Sequence, residues 1–263
     1  MTILQAAILG IVQGIAEFLP ISSSGHLVIA SALLAKYNNT EIPAESATMN
    51  IALHFGTLLS IAVVYWKDLL ELRSDLRTIG LIILATIPVG IAGIMFKDQI
   101  EALMSSPLPV GFALIVTAVV LLISQRLQRD ALTIREVSWP TVAIIGLFQA
   151  VAILPGISRS GSTIAGGLLC GLQRSEATRF SFLIAIPAIG GATIVKAKDL
   201  LSGEAAVSAQ EIGPLSVGTV VSFLVGLVAL KALIRVVSAN RLHWFAGYCL
   251  TAGLATVAWQ LLG

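Results

Sequence analysis

Charge is what this 263-residue sequence has least of. Charged residues make up 11%, against about 25% in a typical soluble domain. That shortage excludes an ordinary soluble globular protein, a disordered chain and a nucleic-acid binder. Cysteine is almost missing too. Cys170 and Cys249 lie far apart in apolar stretches. They cannot form a disulfide framework, and no CxxC or Cys/His cluster suggests zinc. No Lys or Arg precedes Lys36. The basic start of a signal peptide is therefore missing, and the first apolar stretch is expected to be retained. What the chain does have is apolar side chains, 57% of its residues, with a mean hydropathy of +0.95. Such a chain is expected to be an all-α polytopic integral membrane protein.

About ten helical segments are expected, near 3–19, 21–35, 47–66, 79–96, 107–124, 138–154, 159–172, 178–195, 214–234 and 243–262. Spanning ~30 Å of hydrocarbon takes about 20 residues. Segments 21–35 and 159–172 fall short. Each follows a proline break, at Leu19-Pro20 and Leu154-Pro155-Gly156, and opens with serines and glycine. Both read as halves of re-entrant helix pairs, which turn inside the membrane where the bare backbone faces protein or a wet cavity.

Each hairpin returns to the side it left, so the loops can be assigned to two sides. The N-terminal side holds Lys36, Lys97, Lys196 and Lys198. The opposite side holds Lys67, Arg73, Arg77, Arg126, Arg129, Arg135, Arg174, Arg179, Lys231, Arg235 and Arg241. Arg159 falls at a hairpin tip. The positive-inside rule makes the second side cytoplasmic. Both termini, and the mouth of the first hairpin, are then expected to face outward.

The chain also repeats itself. Gln13-Gly-Ile-Ala-Glu-Phe-Leu-Pro-Ile-Ser-Ser-Ser-Gly-His26 overlays Gln149-Ala-Val-Ala-Ile-Leu-Pro-Gly-Ile-Ser-Arg-Ser-Gly-Ser162 at a constant offset of 136 residues. Six of the fourteen positions are identical. A single membrane domain over 1–263 is expected, with repeats of roughly 1–124 and 138–262. An odd number of crossings per repeat inverts the second copy, so the two polar tips meet near the midplane. The copies differ at Glu17/Ile153, Ser23/Arg159 and His26/Ser162. One tip thus offers a carboxylate, hydroxyls and an imidazole, and the other a guanidinium and hydroxyls.

Ionisable groups within apolar segments are costly and mark function. Glu17 reads as a general acid/base, a metal ligand or the structural partner of an arginine. Gln13 lies one helical turn before it on the same face. His26 reads as the activator of a nearby serine, as a proton donor to a leaving oxygen, or as a histidine bonded to backbone. Arg159 suits a bidentate grip on phosphate. Gly25 and Gly161 are expected to let backbone N–H groups point at an anion. Among Ser22, Ser23, Ser24, Ser158, Ser160 and Thr163, most are expected to be turn and cap hydroxyls, with at most one nucleophile. Thr163 is also a candidate phosphate donor. Asn50 and His54, one turn apart in segment 47–66, rank lower; they are expected to pack against a neighbour by hydrogen bond, with lining the same cavity as the alternative. Lys67 to Arg77, with alternating signs, reads as a solvated loop. Arg174, Glu176 and Arg179 read as interfacial anchors.

These residues resemble a family. Gln13-xxx-Glu17 with Ser22-Ser-Ser-Gly-His26 is similar to the (Glu/Gln)xxxGlu and SSxGH signature of bacterial undecaprenyl-diphosphatases of the bacitracin-resistance type. Pro155-Gly-Ile-Ser-Arg159-Ser-Gly-Ser-Thr163 is similar to that family's PGxSRSxxT motif. Gly171-Leu-Gln-Arg174 and Phe180-Ser-Phe182 to Ile186-Pro187 extend the likeness, which covers essentially the whole chain. The resemblance implies hydrolysis of undecaprenyl diphosphate, a long isoprenyl lipid, to undecaprenyl phosphate and inorganic phosphate, recycling the carrier of cell-wall synthesis. It implies a plasma-membrane location, an outward-facing site and a divalent cation, Mg²⁺ or Ca²⁺. It also implies functional roles for Gln13, Glu17, Ser22, Ser23, His26, Ser158, Arg159, Ser160 and Thr163. Glu17 and Gln13 are the candidate metal ligands, and glutamine at 13 weakens that position as a metal carboxylate. Within this reading Ser23 is the preferred nucleophile, with water in its place as the alternative. A transporter or lipid flippase on the same inverted repeat is the competing reading. The expected partners are the lipid substrate and the membrane, without nucleic acid. A homo-oligomer is allowed.

Overall fold

The computed structural model describes residues 1–38, 47–103, 106–202 and 209–262. Among these the chain is all helix, with one isolated bridge between Leu132 and Leu172 and no strand. Helices lie in all ten apolar segments: α1 (Ile3–Ala16), α2 (Ser23–Asn38), α3 (Ala47–Val64), α5 (Leu76–Met95), α7 (Pro107–Leu127), α8 (Trp139–Val151), α9 (Arg159–Leu169), α10 (Arg174–Ser202), α11 (Ala209–Ser238) and α12 (His243–Leu262). Two short helices interleave them, α4 (Trp66–Glu71) and α6 (Lys97–Leu103).

Local sequence sets several helix starts. Thr2 caps α1 in a reciprocal pair with Gln5, and Ser138 caps α8 with Pro140 in the first turn. Five helices are long and apolar enough to cross a membrane: Leu76–Met95, Pro107–Leu127, Arg174–Val195, Glu211–Ser238 and His243–Leu262. The pair Thr48–Val64 and Trp66–Ser74 is bent by 76°, and counted as one span it brings the number to six. Three helices beside the breaks are shorter. α1 has 14 residues, α8 has 13 and α9 has 11. At ~1.5 Å per residue each falls short of ~30 Å of hydrocarbon. The chain is a multi-pass membrane protein.

The short helices pack on the long ones. α1 lies on α11, and α8 lies on α5. α3 bridges α11 and α10, while α7 and α12 run together. Close approach at equivalent positions holds the first two pairs. A Cβ on Gly10 would meet the Gly218 carbonyl oxygen at 2.9 Å, and one on Gly146, 136 residues on, the Ala85 carbonyl oxygen at 2.9 Å. Phe18, Phe180 and Phe182 are fully buried between these layers, with Phe18 and Phe182 ring centres 5.7 Å apart.

The charged stretch 67–77 is not the solvated loop expected from its alternation. It folds as α4, a 3₁₀ turn (Leu72–Ser74) and the start of α5. Arg174, Glu176 and Arg179 open α10 rather than sitting in a loop. The reason is specific pairing. Arg179 binds Asp68, Glu176 accepts from the Ile134 N–H at 3.1 Å, and Arg174 pairs with Asp130 at 3.0 Å. Arg77 donates to the Ile134 and Val137 carbonyls. Asp75 caps α5, and hydrogen bonds from the Thr78 N–H and hydroxyl hold its carboxyl below the usual carboxylate range. These contacts gather the loops rich in Lys and Arg at one end of the molecule.

Candidate active site

The two helix breaks lie tip to tip. Ser22 adopts a left-handed backbone, φ 68°, and Gly156 has φ +95°. Such a conformation is strained for serine, and hydrogen bonds hold it. The Ser22 hydroxyl accepts from the Gly156 N–H at 3.1 Å and from the Gly25 N–H at 3.3 Å. A Cβ on Gly25 would lie 2.9 Å from Gly156 Cα. One on Gly161 would lie 3.1 Å from Pro20 Cβ. These contacts relate equivalent positions, since 25 and 161 differ by 136, as do 20 and 156. Thr117 on α7 braces the second break, donating to the Gly156 carbonyl at 3.0 Å and accepting from the Ser158 N–H at 3.2 Å.

At this junction Glu17, which ends α1, meets Arg159, which begins α9. Arg159 Nη2 donates to Glu17 Oε1. Its Nη1 is buried and has no partner among the described residues. Both side chains are sheltered, Glu17 at 7% and Arg159 at 17% exposed. On Glu17 Oε2 converge the Gln13 amide nitrogen at 3.1 Å, the Ser23 hydroxyl at 3.3 Å and His54 Nε2 at 3.8 Å. A carboxylate only accepts, so Gln13 must present its NH₂ and not its oxygen. Two cavities share this pair as a wall. One, of about 50 Å³, is lined by Glu17, Ser22, Ser23, Ser24, Ser158 and Arg159 among others. The other, of about 230 Å³, is lined by Glu17, Asn50, His54, Gln149 and Arg159 with apolar neighbours.

Not every residue singled out in the sequence reaches this site. His26 lines neither cavity. Its Nδ1 faces the Ser22 carbonyl at 2.7 Å and its Nε2 the Tyr248 hydroxyl at 2.6 Å, with the two rings stacked. The carbonyl can only accept, so Nδ1 carries the hydrogen. Gly25 and Gly161 lie in the first turns of α2 and α9, and their N–H groups bond the Ser22 and Ser158 hydroxyls. Those amides point at caps, not at an open anion cradle. Thr163 turns into the protein, bonding the Arg159 carbonyl and Ser181. Ser160 is buried, 3.2 Å from Ser158 and 3.4 Å from the Leu19 carbonyl.

Asn50 and His54 stand on the larger cavity, the alternative that the sequence reading ranked below packing. The signal was present, since an imidazole within an apolar span is costly. Tyr248 carried no such signal, because its partner is 222 positions away.

The chain resembles known proteins over nearly its whole length. A family model described as "Bacitracin resistance protein BacA" matches residues 6–255. The chain is 48% identical to a protein of Rhodopirellula baltica named undecaprenyl-diphosphatase, over 98% of each chain. It is 42% identical to one of that name from Christiangramia forsetii, again over 98% of each. A third so named, from Alkaliphilus metalliredigens, is 39% identical along the full length of both. The chain belongs to the BacA bacitracin resistance family.

Proposed function

We propose that this chain hydrolyses undecaprenyl diphosphate to undecaprenyl phosphate and inorganic phosphate. The relatives' shared name supports the substrate. One observation carries the chemistry: Glu17 is gripped by one nitrogen of Arg159 while the other, Nη1, is buried without a partner. A buried orphan donor calls for an acceptor, and a phosphate oxygen is one. Arg159 thereby holds base and substrate together. The apolar tail stays in lipid while the head enters between the hairpins.

Phosphoryl transfer needs positioning and charge neutralisation above all. Ser23 Oγ attacks the terminal phosphorus while Glu17 Oε2, 3.3 Å away, takes its proton. The bond from that phosphorus to the bridging oxygen breaks. Undecaprenyl phosphate departs with the proton that Glu17 returns to its oxygen. Water, deprotonated by Glu17, then cleaves the seryl phosphate, and Ser23 recovers its proton as phosphate leaves. Ser22, with its hydroxyl committed to two backbone N–H groups, shapes the turn. Ser158, Ser160 and Thr163 hold the start of α9, and with it Arg159.

The family likeness implies a divalent cation. No group of three or more His, Cys, Asp or Glu that could hold a metal occurs among the described residues. Glu17 still fits one, because magnesium sites commonly use one or two carboxylates and leave other positions to substrate phosphates and water. Gln13 does not complete it, since its NH₂ faces Glu17. When bound, the cation would neutralise charge on the diphosphate.

The same reading puts the chain in the bacterial plasma membrane, with both termini and the site open to the outside. The clustering of basic loops at one end supports that orientation. The inverted repeat is supported by the paired contacts Gly25/Gly156 and Gly161/Pro20.

Purified protein in detergent is expected to release phosphate from undecaprenyl diphosphate without any gradient, which sets it apart from a transporter. Glu17→Gln and Ser23→Ala are each expected to cut the rate by about 100-fold or more with the fold intact. Unchanged release from either folded variant would overturn that residue's role. A chelator is expected to stop release, and Mg²⁺ to restore it.

A further inference from the structure

His54 sits on α3, and its Nδ1 is 2.8 Å from the Asn50 carbonyl oxygen. That oxygen only accepts, so Nδ1 carries the hydrogen and a neutral ring presents a bare lone pair at Nε2. Nε2 faces Glu17 Oε2 at 3.8 Å across the wall of the 230 Å³ cavity. A neutral ring sets two acceptors face to face, too far apart for a direct hydrogen bond, and a protonated ring pairs with the carboxylate. A proton on Nε2 or a cation between the two groups satisfies the contact, and the cavity beside them has room for the cation.

We infer that His54 Nε2 and Glu17 Oε2 together form the protein half of a divalent-cation site, with diphosphate oxygens and water as the remaining donors. This rests on the hydrolase reading above and assigns a ligand it leaves open. The chemistry has a consequence for metal choice. Mg²⁺ and Ca²⁺ prefer all-oxygen shells, whereas imidazole nitrogen suits transition ions; Mn²⁺, the first of that series, shares the oxygen preference of Mg²⁺ and tolerates one nitrogen. The other residues facing Glu17 Oε2, Gln13 and Ser23, are donors there and supply no competing ligand. Arg159 occupies Oε1.

The test uses full-length protein in detergent with Mn²⁺ and methylenediphosphonate, an anhydride mimic that cannot be cleaved. Pulsed electron paramagnetic resonance of bound Mn²⁺ reads coupling to imidazole nitrogen. The sequence has only three histidines, at 26, 54 and 243, so each can be changed singly. Coupling is expected in the wild type, in His26→Gln and in His243→Gln, and its loss in His54→Gln. Mn²⁺ affinity is expected to fall on the order of tenfold or more in His54→Gln, and Mg²⁺ affinity much less. Persistence of the coupling in His54→Gln overturns the inference. So does bound Mn²⁺ without nitrogen coupling in the wild type, the result if the gap holds a proton instead. Absence of Mn²⁺ binding in protein that releases phosphate with Mg²⁺ overturns it too. Phosphate release is measured on the same samples. Release with no nitrogen coupling sinks the His54 site alone, whereas nitrogen coupling without release under any cation sinks the hydrolase reading.

Discussion

At the residue scale, Glu17 and Arg159 are both a chemical pair and a structural liability. Removing one member of a buried ion pair leaves an unmatched charge and costs about 3–5 kcal/mol. Arg159→Met is therefore expected to lower the thermal midpoint markedly and to abolish phosphate release. Adding Glu17→Gln removes the stranded carboxylate. The double variant is expected to recover most of the lost stability and none of the activity. Differential scanning fluorimetry beside the release assay checks both, and a double variant no more stable than Arg159→Met would show that the pair does not carry this energy. The sequence showed that both charges sit beside Ser/Gly turns, and its asymmetry between copies separated base from cation. It did not show that His26 would turn to Tyr248, because no local pattern links residues so far apart.

At the scale of elements, the hydropathy windows located every long helix, since length and apolar content are local properties. They missed α4 and α6, which are only six and seven residues long. Charge alternation alone misjudged 67–77 as a loop: Asp68 and Glu71 pair with Arg179 of α10 and Arg77 bonds carbonyls near residue 134, while Lys67 and Arg73 stay exposed. The junction of the breaks depends on close backbone approach. Gly25→Ala puts a methyl 2.9 Å from Gly156 Cα, a backbone atom that cannot swing aside. It is expected to destabilise by about 1–3 kcal/mol and to remove most phosphate release by parting Ser23 from Arg159. Gly90→Ala on α5, where nothing lies within 4 Å, is expected to change neither. Equal behaviour of the two variants would remove the junction's importance.

At the scale of the whole molecule, orientation is the open consequence of the charge bias. With Cys170 and Cys249 replaced by alanine, single cysteines report sidedness through a membrane-impermeant maleimide. Lys97→Cys is expected to label in intact cells. Arg129→Cys is expected to label only after permeabilisation. Both parent residues are exposed. The reverse pattern would invert the orientation and turn the site to the cytoplasm.

The amino-acid order alone determined that the chain is a helical membrane protein with two interrupted segments, and it carried the family likeness. Hydropathy, proline breaks and motif spacing are all written along the chain, so they need no knowledge of what touches what. Only the tertiary structure decided which polar groups share a cavity. It set Ser23, Gln13 and His54 on one carboxylate oxygen and Arg159 on the other, and it spent the Gly25 and Gly161 amides on caps. Gln13, Ser23 and the two glycine caps lie within six residues of their partners, but the meeting of Glu17 with His54 and Arg159 turns on distances of a few ångströms between helices far apart in sequence, which packing sets and no local pattern encodes.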